Sequence, residues 1–514
     1  MDQGNTVKIR DLDLLAVHLA ELKAAGKKVV LAHGVFDLLH MGHIRHLEQA
    51  RKMGDVLVVS LTQDCDVNKG PGRPAFPQHL RAEAVAALAV VDYVAVNRWP
   101  SAVETIRWLR PDIFVKGQDY ATAEDDVTGG ITLEADAVRD VGGEIRFTSD
   151  ITFSSSHLLN EYFSSFPADT ERYLHDFRRA YSIDEVLSWL ERITALRPVV
   201  VGDAILDEYL FCDGIGKSSK DVVLAVLQRS LEVYAGGSLM VANHLAGLCH
   251  DVRLVTQLGD SGRREEWIRG HLRSNIEPVL LTKTASPTVV KRRIVDEYSG
   301  AKLLEVYTMD DKLTSGEDET ALLAALSGPP EDGDLTVVTD YGHGMLSPRA
   351  IEALCTPSRH LAVNAQSNAG NRGFNPIAKY RRADYVCMNS HELEVETRVR
   401  NNNDPSIVEK QVRQLSTRIL CPRFTVTMGK SGSLHLDFAT ACSVAPALAA
   451  RVMDRVGSGD AVMAVTAPLA RVGAPGPVVA FIGNVAGAES VAQVGRRWAL
   501  DRVALSKHIV ALLK

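Results

Sequence analysis

The chain has 514 residues, a formal net charge of -7, 46% hydrophobic residues and 24% charged residues. This length exceeds what one hydrophobic core usually supports, so we expect two or three domains, and the balanced composition excludes a disordered chain. The chain lacks the overall excess of basic residues that would suggest a nucleic-acid partner. We therefore expect nucleotides rather than polynucleotides as ligands.

The N-terminus and the cysteines predict where the protein is found. The first residues contain no apolar segment of signal-peptide type, and no apolar run approaches membrane-spanning length. The seven cysteines include no C-x-x-C pair, which fits reduced thiols better than disulfides or a zinc site. We therefore expect a cytoplasmic protein without a membrane partner.

Residues 27–52 have the pattern of a strand, a turn and a helix. His40 and His43 lie three residues apart where the helix begins, so both imidazoles can point the same way as the unpaired N–H groups of its first turn. Those groups and the helix dipole attract phosphate, and Gly42 carries no side chain to keep a phosphate away. The alternative for H-x-G-H alone is a solvated pair of surface histidines.

The string G-V-F-D-L-L-H-M-G-H ends at His43 and resembles the signature of a nucleotidyltransferase superfamily. That superfamily contains glycerol-phosphate cytidylyltransferase and the heptose-phosphate adenylyltransferases. The resemblance implies that His40 and His43 are catalytic. They would stabilise the α-phosphate of a nucleoside triphosphate while a substrate phosphate attacks it and pyrophosphate leaves. It also implies that Gly34, Phe36 and Asp37 bind the nucleotide.

Short apolar strands alternate with helical segments as far as Phe147. This alternation predicts a parallel, Rossmann-like sheet with ligands at the carboxyl ends of its strands. The Gly/Pro-rich loop after the second strand carries Lys69, Arg73 and Arg81, which are suited to neutralising phosphate charge. A solvated basic loop is the alternative.

Two later segments resemble further nucleotide-binding motifs of the same superfamily. V-K-G-Q-D-Y supplies Lys116 and Gly117 at a strand end, and Ser154, Ser155 and Ser156 stand where a new helix begins. The serines have the alternative role of capping that helix. V-K-G-x-D-Y and the R-P-x-x-P loop are closer to the heptose-phosphate adenylyltransferases, which favours ATP over CTP.

The composition changes near residue 160 and again near residue 198, so we divide the chain into three parts. Residues 1–160 form the predicted nucleotidyltransferase domain. A charged and aromatic stretch at 161–197 predicts a helical connector, with Ser182 and Glu185 in an S-x-x-E capping pattern. Residues 198–514 form the predicted second domain.

The second domain resembles the ribokinase, or PfkB, family along nearly its full length. The resemblance implies a ribokinase-like α/β fold with a small β lid. It rests on motifs that occur in the family's order: G-D-x-x-x-D ending at Asp207, the pair Gly236-Gly237, N-x-x-E from Asn389 to Glu392, the turn from Gly429 to Gly432, and D-x-x-G-x-G-D ending at Asp460.

The last motif carries the predicted kinase chemistry. Gly457, Ser458 and Gly459 present backbone amides to a transferring phosphoryl group, and Asp460 can take the proton of the attacking hydroxyl. The resemblance implies nucleotide contacts from Asn389, Glu392, Gly429 and Gly432, with Glu392 acting indirectly on Mg²⁺. It further implies that Asp207, Gly236 and Gly237 bind a sugar or polyol.

The sugar end of the second domain departs from the family pattern. Met240 stands where the family usually has an asparagine, and His343 replaces a lysine. A loop rich in asparagine follows one strand, and its Asn364 and Gln366 are candidates for binding a polar substrate. The alternative is an Asn/Gly turn cluster without a ligand.

Together these features predict a bifunctional enzyme that resembles the heptose-phosphate kinase/adenylyltransferases with the two halves exchanged. It would phosphorylate a sugar or sugar phosphate with ATP and Mg²⁺ and transfer a nucleotidyl group to a sugar phosphate, forming an NDP-sugar. We expect a homo-oligomer, because kinases of this fold often dimerise through the lid. The alternatives are a transferase with a ligand-sensing, degenerate kinase domain, a glycerol-phosphate-type cytidylyltransferase, and a non-catalytic assembly protein.

Overall fold

The computed structural model describes residues 8–67, 73–117, 130–148, 166–218, 220–327, 335–357, 359–371, 373–492 and 499–514. The chain divides into two compact units. The first comprises Met1–Ser165 with Ser506–Lys514, and the second comprises Phe166–Leu505. Within the described ranges, no helix is both long enough and apolar enough to cross a membrane.

The first unit contains a five-stranded parallel sheet in the order β3-β2-β1-β4-β5. Its central strands are rich in β-branched residues because both of their faces are buried. The strands are β1 Val29–Gly34, β2 Val56–Leu61, β3 Tyr93–Val96, β4 Ile113–Gly117 and β5 Glu144–Thr148. The helices are Leu12–Ala24, Met41–Arg51, Gln78–Ala86, Val103–Leu109 and Gly130–Asp140. The predicted Rossmann-like alternation is confirmed.

Two apolar cores lie on opposite faces of this sheet. Leu47 and Val85 belong to the core on one face, and Leu15 and Ile106 belong to the core on the other. The strand order reverses between β1 and β4, so the crevice expected in such a sheet opens at the carboxyl end of β1. The helix Met41–Arg51 begins beside that crevice.

The second unit contains a nine-stranded sheet in the order β10-β9-β6-β13-β14-β15-β16-β17-β18. The pairs are parallel from β10 to β16 and antiparallel from β16 to β18. Its strands are β6 Pro198–Gly202, β9 Val252–Ser261, β10 Ile276–Pro287, β13 Leu335–Asp340, β14 Leu361–Ala365, β15 Tyr385–Asn389, β16 Arg423–Thr427, β17 Ser433–Asp437 and β18 Cys442–Ala445.

A separate four-stranded sheet in the order β12-β11-β7-β8 forms the lid. Its strands are β7 Ala204–Lys217, β8 Leu224–Gly237, β11 Val289–Asp296 and β12 Lys302–Thr308. Side chains alternate between its faces, so Asp207, Lys291 and Arg293 are buried while Leu304 is exposed. The small β lid implied by the sequence is confirmed.

Helices flank the large sheet of the second unit. They are Ala168–Ala180, Ile183–Ile193, Ser238–Ala246, Glu265–Gly270, Gly316–Leu326, Pro348–Leu354, Ser390–Thr397, Pro405–Leu415, Ser458–Arg471 and Gly476–Val491, and the helix Arg502–Leu513 follows them. The first two fall in the predicted connector, where Ser182 Oγ accepts the N–H of Glu185 at 3.2 Å. The Phe177 ring stacks on Phe481 with centroids 4.3 Å apart, so these helices form part of the second unit.

Candidate functional site

The histidine pair lies at the start of the helix Met41–Arg51. His40 caps this helix, and its Nδ1 accepts the N–H of Gly42 at 3.1 Å. The His43 ring stacks on His40 with centroids 3.9 Å apart. Because Nδ1 of His40 accepts, its neutral ring carries the proton on Nε2, which makes Nε2 a donor. The structure thus brings both imidazoles together at a helix N-terminus, where an anion is favoured.

Phe36 supports this pair from the turn after β1. Its φ is +49°, a left-handed conformation that a residue with a side chain seldom adopts. Its ring centroid lies 5.1 Å from that of His43, and a Cβ on Gly34 would lie 3.1 Å from the same ring. Gly34 therefore leaves room for the Phe36 ring, which packs against His43.

The buried Asp37 organises the segment after β2. Its Oδ1 accepts the N–H of Phe76 at 3.0 Å, and its Oδ2 lies 3.6 Å from Arg73 Nη1. Asp37 therefore fixes the path of this segment beside the histidines. Direct nucleotide contact by Asp37 stays a prediction.

Arg81 lies in the interior of the first unit. Its side chain is 1% exposed, and its guanidinium donates to the carbonyl oxygens of Phe76, Val35 and Thr62 at 2.9, 2.5 and 2.8 Å. It also contacts Asp64 Oδ1 at 2.6 Å. Its donors therefore hold three backbone segments together, which gives Arg81 a structural role, while a contact with nucleotide phosphates stays a prediction.

Lys116 lies at the carboxyl end of β4, next to the crevice. Its Nζ lies 2.7 Å from Glu134 Oε2, and both side chains are largely buried. No described residue lies within 4 Å of a Cβ built on Gly117, which leaves room for a ligand in that part of the structure. Sequence analysis missed Glu134, which has no motif around it.

Two further histidines near this crevice also escaped the sequence analysis. Burial, together with the charge of Lys116, lowers the pKa of His33 to about 3 and that of His46 to about 4. His33 Nδ1 lies 2.8 Å from Ser60 Oγ, and His46 Nδ1 lies 2.7 Å from Thr148 Oγ1. Both rings are therefore neutral hydrogen-bonding groups at pH 7. His46 lies one helical turn beyond His43, and this spacing could have predicted that it faces the same side of the helix.

Some predicted residues lie outside the described parts of the chain. They are Lys69, Ser154, Ser155 and Ser156. Their proposed contacts with nucleotide phosphates stay predictions.

In the second unit, the predicted base lies in the first turn of the helix Ser458–Arg471. Gly457 precedes this helix with a φ of +84°, a conformation that favours glycine. Among the described residues, nothing lies within 4 Å of a Cβ built on Gly459, so there is room for a ligand beside this residue. Asp460 is 3% exposed, and the Tyr341 hydroxyl donates to its Oδ1 at 2.7 Å. Sequence analysis missed Tyr341, although it lies in the same D-Y-G-H-G segment as His343.

Asn389 and Glu392 cap the helix Ser390–Thr397 reciprocally. Asn389 Oδ1 accepts the N–H of Glu392, and Glu392 Oε2 accepts the N–H of Asn389, both at 2.8 Å. Burial raises the pKa of Glu392 to about 7, and the charge of Asp460 adds to this. A nearby cation would stabilise the charged form of Glu392 against both the burial and the charge of Asp460. The position of Glu392 therefore fits a magnesium site.

The described side chains do not form a complete set of ligands for a magnesium ion. Within the described residues, no group of three or more metal-binding side chains is present. Mg²⁺ usually keeps several waters and binds through substrate phosphates with one or two carboxylates. Glu392 therefore fits the indirect role that the sequence implied.

The turn from Gly429 to Gly432 has left-handed backbone at both ends, with φ of +57° and +87°. A Cβ on Gly432 would lie 2.0 Å from the Ala445 carbonyl oxygen, so packing alone requires glycine there. No described residue lies within 4 Å of a Cβ built on Gly429, which leaves space for an approaching ligand.

Asp207, the predicted sugar ligand, is engaged inside the lid. Arg293 Nη1 contacts its Oδ1 at 2.6 Å, and Arg293 Nε contacts Glu305 at 2.9 Å. A Cβ on Gly236 would lie 2.1 Å from Asp207 Oδ2, so Gly236 leaves space for this carboxylate. Gly237 has a φ of +57° and caps the helix Ser238–Ala246.

The predicted substrate residues of the asparagine-rich loop make hydrogen bonds within the protein. Asn364 Nδ2 donates to the Cys387 carbonyl oxygen at 2.8 Å, which gives it a structural role, while a substrate contact stays a prediction. The backbone N–H of Gln366 donates to the Asp340 carbonyl oxygen at 2.8 Å, while a ligand contact from its side chain stays a prediction. His343 is buried, and this burial with the charges of two lysines lowers its pKa to about 3.

Two family models match parts of the chain. A cytidylyltransferase-like model matches residues 31–165, and a model of the pfkB family of carbohydrate kinases matches residues 362–501. These segments contain the histidine pair and the Asp460 motif respectively.

Curated relatives named "Bifunctional protein HldE" are similar to part of the chain. That of Citrifermentans bemidjiense is 39% identical over 162 residues, which is 31% of this chain and 32% of the relative. That of Geobacter sulfurreducens is 43% identical over 130 residues, which is 25% of this chain and 26% of the relative. The chain thus matches between a quarter and a third of the length of these relatives.

The solved structure of phosphofructokinase-2 from Escherichia coli with substrates and products shares the fold of the second unit. The two superpose with a TM-score of 0.51 at 16% identity, covering 62% of this chain and 100% of that one. The chain therefore combines an N-terminal Rossmann-like, cytidylyltransferase-like domain with a C-terminal ribokinase-like domain that matches the pfkB carbohydrate kinases.

Proposed function

We propose that this protein is a bifunctional enzyme that phosphorylates a sugar or sugar phosphate and transfers a nucleotidyl group to a sugar phosphate. The observation that carries the proposal is the presence of two phosphate cradles, each at a helix N-terminus. Paired imidazoles stand at one and the carboxylate of Asp460 at the other. The word "bifunctional" in the names of the similar proteins supports this pairing.

In the transferase reaction, an oxygen of the sugar phosphate attacks the α-phosphorus of a nucleoside triphosphate. The bond to the β-phosphate breaks, and pyrophosphate leaves. Negative charge grows on the α-phosphate oxygens, and preorganised donors facing them lower the barrier. His40 and His43 have the position for this role, and their stacking keeps them aligned. We favour ATP as the nucleotide, forming an ADP-sugar.

In the kinase reaction, a substrate hydroxyl attacks the γ-phosphorus of ATP, its proton passes to Asp460, and ADP leaves. The amides of Gly457, Ser458 and Gly459 would stabilise the transferring group. Bound Mg²⁺ would neutralise phosphate charge, with Glu392 nearby as an indirect ligand.

The test measures both products separately. The full-length protein is incubated with a panel of sugars and sugar phosphates and each nucleoside triphosphate in turn, and nucleoside diphosphate and pyrophosphate are quantified. We expect ADP with one sugar and pyrophosphate with one sugar phosphate. Neither product with any pair would refute the proposal.

Two variants assign the activities to their sites and serve as controls for each other. Asp460→Asn should lower ADP formation by about 100- to 10,000-fold, because a general base is lost. His43→Ala should lower pyrophosphate release by about 100- to 1,000-fold, because a donor to the developing charge is lost. Each variant should retain the other product. Loss of both products in either variant would contradict two independent sites.

A second candidate is a transferase whose kinase-like domain senses a ligand. The Arg293–Asp207 ion pair favours it, because the carboxylate predicted to hold sugar hydroxyls already has a partner. Met240 is buried and cannot replace the hydrogen bonds of an asparagine. This candidate predicts no ADP formation with any sugar and unchanged pyrophosphate release in Asp460→Asn.

The remaining features of the proposal concern organisation. We assign residues 1–160 to transfer, 161–197 to the connector and 198–514 to the kinase. The lid carries exposed apolar residues, including Val222 and Leu304, which would be covered in a homodimer. We place the enzyme in the cytoplasm, where nucleoside triphosphates and sugar phosphates are available.

A further inference from the structure

The contact between Tyr341 and Asp460 lies in the interior of the second unit. Tyr341 is 1% exposed and Asp460 is 3% exposed, and the hydroxyl-to-Oδ1 distance is 2.7 Å. A hydrogen bond to one carboxylate oxygen restricts rotation about the Cβ–Cγ bond. It therefore fixes the plane in which the carboxylate meets an attacking hydroxyl.

The backbone of Tyr341 is held on both sides. Its N–H donates to Asp203 Oδ2 at 3.1 Å. Its carbonyl oxygen accepts from Asn368 Nδ2 at 2.8 Å and from Asn371 Nδ2 at 3.1 Å. These contacts leave the residue little freedom to shift, because both of its peptide groups are anchored by side chains from other segments.

The asparagine-rich loop supplies most of these anchors. Asn371 Nδ2 also donates to the Gln366 carbonyl oxygen at 2.8 Å, which ties the loop to itself. Asn375 Nδ2 donates to the Asp340 carbonyl oxygen at 2.9 Å, one residue before Tyr341. The amides of Asn368, Asn371 and Asn375 therefore point toward the D-Y-G-H-G turn and satisfy its backbone carbonyl oxygens without adding charge.

We propose that Tyr341 is a positioning residue for Asp460, and that the loop asparagines Asn368, Asn371 and Asn375 hold the Tyr341 segment in place. This inference rests on the proposed kinase function, in which Asp460 takes the proton. The loop contributes to catalysis by restraining the base through Tyr341. The sequence left two roles open for this loop, substrate binding and a turn cluster without a ligand. The proposed role lies between them, because the loop would support catalysis without contacting the substrate.

The test is the kinetics of full-length Tyr341→Phe, which removes the hydroxyl and keeps the ring. The matched control is Tyr385→Phe, because Tyr385 is also fully buried and its hydroxyl donates to Thr466 Oγ1 at 2.6 Å. Both variants remove a buried hydroxyl that makes a hydrogen bond and keep the aromatic ring, so the control reports the general effect of this change. We expect kcat for ADP formation to fall by about 10- to 100-fold in Tyr341→Phe, the effect of losing a hydrogen bond to a charged group.

The KM for the sugar should stay within about threefold in Tyr341→Phe, because positioning of the base does not bind the substrate. The control should keep the wild-type kcat. A Tyr341→Phe kcat equal to that of the control would overturn the inference while leaving the kinase function intact. A wild-type protein that forms no ADP would overturn both.

A second variant covers the case in which Tyr341→Phe does not fold. Asn368→Ala removes a donor to the Tyr341 carbonyl oxygen and keeps the whole tyrosine. We expect a fall in kcat of about threefold or more with an unchanged KM, since the anchor is loosened rather than lost. Wild-type kcat in a folded Asn368→Ala would overturn the inference in that case.

Discussion

Substitution of Arg81 distinguishes the nucleotide-binding role predicted from the sequence from the structural role indicated by its contacts. If it bound nucleotide phosphates, Arg81→Met would raise the Kd for the nucleoside triphosphate and leave stability unchanged. The structure predicts the reverse, because the guanidinium is 1% exposed and donates to three backbone carbonyl oxygens. Its loss leaves these oxygens without their buried donor.

The expected magnitude follows from the number of groups affected. An unsatisfied buried polar group costs about 1–3 kcal/mol, and some of these carbonyls will regain water, so we expect a loss of about 3–5 kcal/mol. The contact with the half-exposed Asp64 adds little. Urea unfolding followed by circular dichroism measures the loss, and nucleotide titration below the unfolding transition measures the Kd.

The control is Arg98→Met, which makes the same side-chain change at the surface. Arg98 pairs with Asp11 and Asp13 in an exposed cluster, and such pairs contribute little to stability. We expect nearly wild-type unfolding for this variant. Wild-type stability of Arg81→Met together with a tenfold higher Kd would refute the structural role.

Two further predictions concern the second unit. Gly236→Ala should raise the KM for the sugar and lower stability, because the added Cβ would lie 2.1 Å from Asp207 Oδ2. Gly214→Ala is the kinetic control, since no described residue lies within 4 Å of its added Cβ. Equal KM values for the two variants would contradict the prediction. His343 has a pKa lowered from 6.5 to about 3, so its contribution to stability is present above pH 6.5 and is lost as the pH falls toward 3. Between pH 6.5 and 5.5 the wild type should lose about 1 kcal/mol through this group, which His343→Leu should not lose in urea unfolding at the two pH values. Equal losses in both proteins would show that His343 is solvated.

The sequence was sufficient for features that local patterns encode. The strand-turn-helix pattern placed His40 and His43 at a helix start, and the glycines before Asp460 marked another. Both rest on short-range geometry, since the residues that form each turn are adjacent in the chain. The parallel sheet followed from the alternation of elements for the same reason.

Contacts between segments that are distant in the sequence could not be predicted from local patterns. The sequence placed Arg81 in a basic loop, whereas it lies in the helix Gln78–Ala86, and only the fold shows that backbone carbonyls from other segments surround it. His33 and His46 belong to no motif, and their neutrality depends on burial that a sequence does not state. A charged or titratable residue therefore has no assignable role until its partners are known.

The asparagine-rich loop shows how a departure from a family pattern can preserve the geometry of a site. The side chains of this loop that contact the D-Y-G-H-G turn are uncharged asparagines. Neutral amides donate to the Tyr341 carbonyl oxygen and add no charge. Because the backbone of Tyr341 stays fixed, its hydroxyl still reaches Asp460. A loop whose polar side chains satisfy the backbone of a catalytic turn is thus compatible with an active base, even where substrate contacts of the family have changed.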